Sequence, residues 1–285
     1  MATAFAVYSA DDNSLNFYKR DTVPAAGDTF NGKIATTVYT GIETDVYDSS
    51  INYQPWYSYR SSITSVSIID EGIAPVSTAY WFYGLNNTSF TTIGGLDKLD
   101  TSNVTNMKSL FRHCEALTSL NLSGFNTSNV TSMSNMFSTC QALTSLDLSH
   151  FDTSKVTNMD YMFQGCSKLS AIYVGDGWRT DSVISSTDMF YKSPKLPNFN
   201  SSVVDKTNAH YNSGGYLIYK RYIIPPEDRV KVILEKGAVD IIVNTIKKIE
   251  SSIPAYTSAD EGKFLRVVNG APAWISIENA EGASF

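Results

Sequence analysis

The chain has 285 residues, 42% of them hydrophobic and 18% charged, and a formal net charge of −6. That composition supports a real core, and the acidic balance argues against nucleic-acid partners, which call for a basic stripe. No stretch approaches the roughly 20 apolar residues that cross a bilayer, so no membrane insertion is expected.

The amino terminus, MATAFAVYSADDNS, has no basic segment and only a short apolar run, so it does not read as a signal peptide. With Met1 as the natural start, the protein is expected to be made in the cytoplasm and not exported by the usual route. Residues 1–61, including LNFYKRDTVPAAGDTFNG, read as strands and turns forming an N-terminal β-rich cap.

Residues 62–217 repeat themselves. TSNVTNMKSLFRHC at 101–114 returns as TSNVTSMSNMFSTC at 127–140 and as TSKVTNMDYMFQGC at 153–166. Val104, Met107, Leu110, Phe111, Cys114 and Leu117 thus recur as Val130, Met133, Met136, Phe137, Cys140 and Leu143, and again as Val156, Met159, Met162, Phe163, Cys166 and Leu169. A looser unit follows (Val183, Met189, Phe190, Ser193, Leu196), and an imperfect one precedes (Val76, Trp81, Phe82, Phe90, Ile93). Self-similarity at such a period predicts a solenoid whose units share one core. Positions 107, 110, 111 and 114 have the spacing of a helical face, with Thr105 as N-cap, and positions 120 and 122 alternate as in a strand. A strand and a short helix per unit is leucine-rich-repeat geometry, seen in LTSLNL and LTSLDL. The three cysteines share one repeat position and lack metal-ligand spacing, so they read as small stacked core residues.

The run LDTSNVTNMKSLFRHCEALTSLNLSGFNTSNVTSMSNMF is similar to the BspA-type leucine-rich repeat, a 26-residue repeat of bacterial surface proteins. STAYWFYG at 77–84 and NAHYNSGGYL at 208–217 resemble that family's entry and exit segments. The resemblance implies a surface adhesin or interaction module with no catalytic residues attached.

Outward positions of the repeat strands include Ser119, Asn121, Asp147 and Tyr173. They form a candidate shallow surface for a bacterial surface protein or glycan, with Tyr173 as stacking platform, although a solvated sheet face needs polar residues in any case. Asp100, Asn126 and Asp152 recur at one position and read as Asx turns in preference to calcium ligands. No nucleophile, general base or metal motif stands out, so no enzymatic role, cofactor or metal is expected.

Residues 218–237 read as a connector around Pro225-Pro226. In 238–254, Val239, Ile242, Ile246, Ile249 and Ile253 fall at alternating spacings of three and four, an a/d seam whose isoleucines favour three strands. The same seam suits an amphipathic helix packed on its own chain. Residues 255–285 contain KFLRVV-NG-APAWISI, a β-hairpin signature whose large residues, Phe264 and Trp274 among them, call for partners. A short helix followed by such a hairpin favours a homotrimer. The segment IPAYTSADEGKFLRVVNGAPAWISIENAEGASF resembles a C-terminal module of phage head-fibre and tail-fibre proteins, which implies a trimeric virion protein contacting other virion proteins.

The expected fold class is therefore an α+β repeat: a short leucine-rich-repeat solenoid with an N-terminal β cap, then a short coiled-coil helix and a C-terminal β-hairpin. The expected role is that of a phage fibre or decoration protein located in the virion and attaching to host surfaces. The alternative is a bacterial cell-surface adhesin.

Overall fold

The computed structural model describes residues 2–44, 54–211 and 213–220, together with the backbone of 263–268 and 271–276. The chain divides into two compact units, Met1–Tyr222 and Ile223–Phe285.

The first unit opens with a hairpin. Strands β1 (Thr3–Ser9) and β2 (Ser14–Arg20) pair antiparallel, joined by a turn in which Asn13 takes a φ of 55°. Asparagine tolerates this left-handed geometry better than most residues, and its Oδ1 accepts from the Tyr8 hydroxyl at 3.0 Å. Alternation along β1 sends Ala4, Ala6 and Tyr8 into the main core, while Phe5 and Val7 join Tyr18 and Ala35 in a second, small cluster. Both faces of the hairpin are thereby covered. Strand β5 (Thr37–Thr40) flanks β1 antiparallel, and β6 (Ser65–Ile68) and β7 (Ile93–Gly94) extend the sheet parallel to β2. Strands β3 (Thr29–Phe30) and β4 (Lys33–Ile34) form a short separate ribbon. A parallel sheet of β8 (Ser145–Leu148), β9 (Ala171–Val174) and β10 (Ile218–Tyr219) lies further along the chain.

The leucine-rich-repeat solenoid expected from the sequence, with a helix in each unit, is not what forms. Among the described residues there is no α-helix; Pro55–Tyr59, Leu96–Lys98 and Lys206–Asn208 are short 3-10 segments, and the regular structure is otherwise sheet. Nor does 117–122 form a strand. Where a helix was expected over 107–114, the chain makes consecutive tight turns. Leu110, Arg112 and Cys114 donate their amides three residues back within the unit, whereas Met107, Ser109, Phe111 and His113 donate to carbonyls of Ser132, Ser134, Met136 and Ser138 in the next. The same alternation joins 133–139 to 158–164, and 159–165 to 185–191. Left-handed residues punctuate each run: Ser109 and His113, then Asn135 and Thr139, then Tyr161 and Gly165. A right-handed helix cannot contain them. Runs such as TSMSNMFSTC are also poor helix formers, because serine, threonine and asparagine side chains compete for nearby backbone groups.

The repeated apolar residues nonetheless share one core. Phe82, Phe111, Phe137, Phe163 and Phe190 stack in a column with centroids 5.5 to 5.7 Å apart and ring planes within 20° of parallel. Tyr216 meets one end edge-on, 5.2 Å from Phe190, and Trp81 and Phe17 meet the other. The thiols do more than fill space: Cys114, Cys140 and Cys166 donate to the carbonyls of Phe82, Phe111 and Phe137 one unit back, at 3.0, 3.0 and 3.1 Å. At the N-terminal end, Trp56 Nε1 donates to the Trp81 carbonyl at 2.6 Å and Gln54 Nε2 to that of Ala79. One core assignment changes. Ser77 bridges to Asn106, so Val76 lines up with exposed Thr105 and is itself 45% exposed.

In the second unit, β11 (Lys263–Val268) and β12 (Ala271–Ser276) pair antiparallel from Lys263↔Ser276 to Val268↔Ala271, on either side of Asn269-Gly270. The coiled-coil helix expected over 238–254 lies outside the described residues.

Candidate functional site

Two surfaces of the repeat region carry chemistry. The first is the outer face of the β8–β9–β10 sheet, where Asp147 and Ile218 both pair with Tyr173 across neighbouring strands. Lys220 ion-pairs with Asp147 and places its Nζ 5.8 Å from the centre of the Tyr173 ring. Burial alone would raise the Asp147 pKa, but hydrogen bonds from Lys220 and Ser149 outweigh it and hold the carboxyl below its ordinary value. Ser119 and Asn121 belong to the preceding unit, which has no strand there. Both are exposed, and Asn121 Oδ1 accepts from the amide and hydroxyl of Ser123 at 3.2 and 2.7 Å. The polar groups of this face are thus largely spent on one another.

The recurring D/N-T-S triplet is also occupied. Asp100, Asn126 and Asp152 accept from the amides of Ser102, Ser128 and Ser154, and hydrogen bonding from the Ser102 and Ser154 side chains first, and from their amides second, lowers the pKa of both aspartates. Each following threonine joins two units. Thr101 Oγ1 donates to the Asn126 carbonyl at 3.0 Å and accepts from its amide at 2.7 Å, and Thr127 does the same with Asp152. Among the described residues, no group of three or more His, Cys, Asp or Glu could hold a metal ion.

The second surface lies on the turns. The alternating ladder sets Tyr83, Arg112, Ser138, Gln164 and Tyr191 in one row, beside a left-handed row of Gly84, His113, Thr139, Gly165 and Lys192. The N-terminal end of these rows is aromatic and basic. Tyr57 stacks on Tyr83 at 5.6 Å, Arg60 lies 4.1 Å from the Tyr57 ring centre, and Arg112 lies 5.8 Å from that of Tyr83. Burial, and secondarily the charge of Arg112, lower the His113 pKa against the opposing pull of Glu115. The other end opens into a groove of about 410 Å³ built by three successive units: Thr139 and Gln141 from one, Gln164, Gly165 and Ser167 from the next, Tyr191 and Lys192 from the last.

Of the residues singled out by sequence, Asp147 and Tyr173 are brought side by side, while Ser119 and Asn121 lie in the preceding unit, outside any strand. Val239, Ile242, Ile246, Ile249 and Ile253 lie outside the described residues; Phe264 pairs with Ile275 and Trp274 with Leu265 in the hairpin register. The groove was missed. Its signal was available in positions 138, 164 and 191 and in 115, 141 and 167, which change from unit to unit beside constant apolar neighbours.

Residues 77–205 match a family described as a Mycoplasma protein of unknown function, DUF285. No curated protein and no solved structure gives a significant match. Among the described residues, no helix is long and apolar enough to cross a membrane.

Proposed function

We propose that this is a non-enzymatic attachment protein of a phage particle, a head- or tail-fibre or decoration protein, that presents its repeat region to a host surface. The observation that carries the reading is the construction of the repeat region. Its backbone and apolar groups are satisfied by the adjacent units, so the outward side chains of successive units stand in rows on a fixed scaffold and vary without disturbing it. Such a surface suits recognition, since loops and turns held by a rigid frame are where binding residues collect. The C-terminal resemblance to phage fibre proteins supports a virion location and a homotrimer. A trimer would also raise the avidity of a weak site by ~10²–10⁴ without new contacts. A bacterial surface adhesin is the second reading, favoured by the resemblance of the repeats to the BspA-type repeat of bacterial surface proteins.

Two measurements test this. Labelled full-length protein should bind intact bacterial cells, and antibody to it should decorate phage particles in electron micrographs. Cell binding with undecorated particles would replace the virion reading with the adhesin; failure to bind cells would sink both. Light scattering should give three times the chain mass for the full chain and the monomer mass for a version ending at Gly237. A full-length monomer would remove the trimer.

A further inference from the structure

We propose that the groove spanning Thr139, Gly165 and Lys192 is a saccharide-binding site, an assignment that rests on the attachment reading and names its ligand class. Its volume, about 410 Å³, falls within the roughly 300–1,000 Å³ of small-molecule sites.

Several of its polar groups are uncommitted, although the Thr139 hydroxyl lies 3.5 Å from that of Ser138. Among the described residues, neither the Gln141 nor the Gln164 amide makes a side-chain hydrogen bond, nor does the Ser167 hydroxyl. Elsewhere in the repeat region such groups are engaged: Asn106 and Asn158 cap the amides of Lys108 and Asp160 two residues on. A carboxamide offers donor and acceptor in one plane, which matches a pair of neighbouring sugar hydroxyls.

The shape fits as well. Gly165, with a φ of 71°, occupies a row where its neighbours Thr139 and Lys192 carry side chains. The middle of the groove therefore carries no side chain at this position. Tyr191 closes one side and is 42% exposed, an aromatic surface on which the C–H face of a pyranose can stack while the hydroxyl stays wet. A protein partner fits less well, because the groove offers no deep apolar pocket for an anchoring side chain. Lys192 lies 5.2 Å from the Tyr191 ring centre and is in no ion pair among the described residues, so a saccharide bearing a carboxylate or phosphate is favoured.

The test uses purified full-length protein on a printed array of bacterial and mammalian glycans that includes uronate- and phosphate-bearing members. Wild type should give signal on a defined glycan set, stronger on the acidic members. Y191A and Q164A should each reduce it at least tenfold, while I184A, at an exposed residue outside the groove, should leave it unchanged. Unchanged melting temperatures would confirm that the variants fold. No glycan signal, or equal signal from Y191A and Q164A, overturns the site. Binding of the same proteins to cells separates this inference from the attachment reading. Cell binding that survives both variants overturns the groove and leaves attachment standing. Array signal that the variants lose, with no cell binding by wild type, supports the groove and sinks attachment.

Discussion

The thiol of Cys140 points at the backbone of the preceding unit, its Sγ 3.0 Å from the carbonyl oxygen of Phe111. In the last unit Ser193 takes the same slot, and its Oγ donates to the Phe163 carbonyl at 2.6 Å. If donation matters as well as volume, C140S should lose less stability than C140A. The expected cost of C140A is about 1–2 kcal/mol, from a small cavity and a lost hydrogen bond. Urea unfolding midpoints decide; C140S as costly as C140A would leave the thiol a purely space-filling role.

Burial pushes the Cys166 thiol up to about 12, and Cys114 and Cys140 upward as well. A thiol whose folded pKa is raised keeps its proton in the native state while the unfolded chain loses it. Stability should therefore be undiminished below the ordinary thiol pKa of about 8.5 and fall as the pH rises above it. Unfolding curves at pH 7.5 and pH 10 check the sign, with the triple serine variant as control. A thiol reagent at pH 8 should find no reactive group until urea is added.

Phe137 has a ring on each side, 5.7 Å away in both directions. F137A should cost about 3–5 kcal/mol, as expected when a fully buried aromatic is removed from a packed column. F137L should cost distinctly less. Thermal melts of the two, read against wild type, test whether the column is as tightly packed as its geometry implies.

Asp152 closes its turn through one oxygen, accepting from the Ser154 amide at 2.9 Å. Asn126 fills the equivalent position, so D152N should be nearly neutral while D152A loses about 0.5–1.5 kcal/mol. The lowered pKa of Asp152, caused first by Ser154, adds a pH signature. Its contribution is present above the ordinary carboxylate value and disappears as the pH falls through the depressed one. D152N should remove that portion of the acid sensitivity, which melts at pH 3 and pH 6 would reveal.

Much of the core could be read directly, because Val104, Met107, Leu110, Phe111 and Cys114 recur with their burial intact in three units. The conformation between them could not. Apolar residues at spacings of three and four suit a helix, but they suit consecutive turns equally well. The choice was made by backbone amides that leave the unit, and no residue announces the destination of its own N–H. The left-handed sites hide for the same reason: Ser109, His113 and Thr139 are not glycine. Binding residues were sought where the strand pattern pointed, at Asp147 and Tyr173, whereas Gln164 and Tyr191 stand in rows that exist only once the units are laid side by side.

The alternating amide ladder also bears on how such a chain could change over generations. Thr131 and Thr157 each reach exactly one repeat period back, to Thr105 and Thr131, across 26 residues. The turn ladder makes the same bonds from 107–113 to 132–138 and from 133–139 to 158–164, so an in-frame duplication of 26 residues would find its ladder partners already waiting on both sides. Recombination between near-identical repeats could therefore lengthen or shorten the protein, and reset the rows on its surface, without a folding intermediate that natural selection would have to rescue.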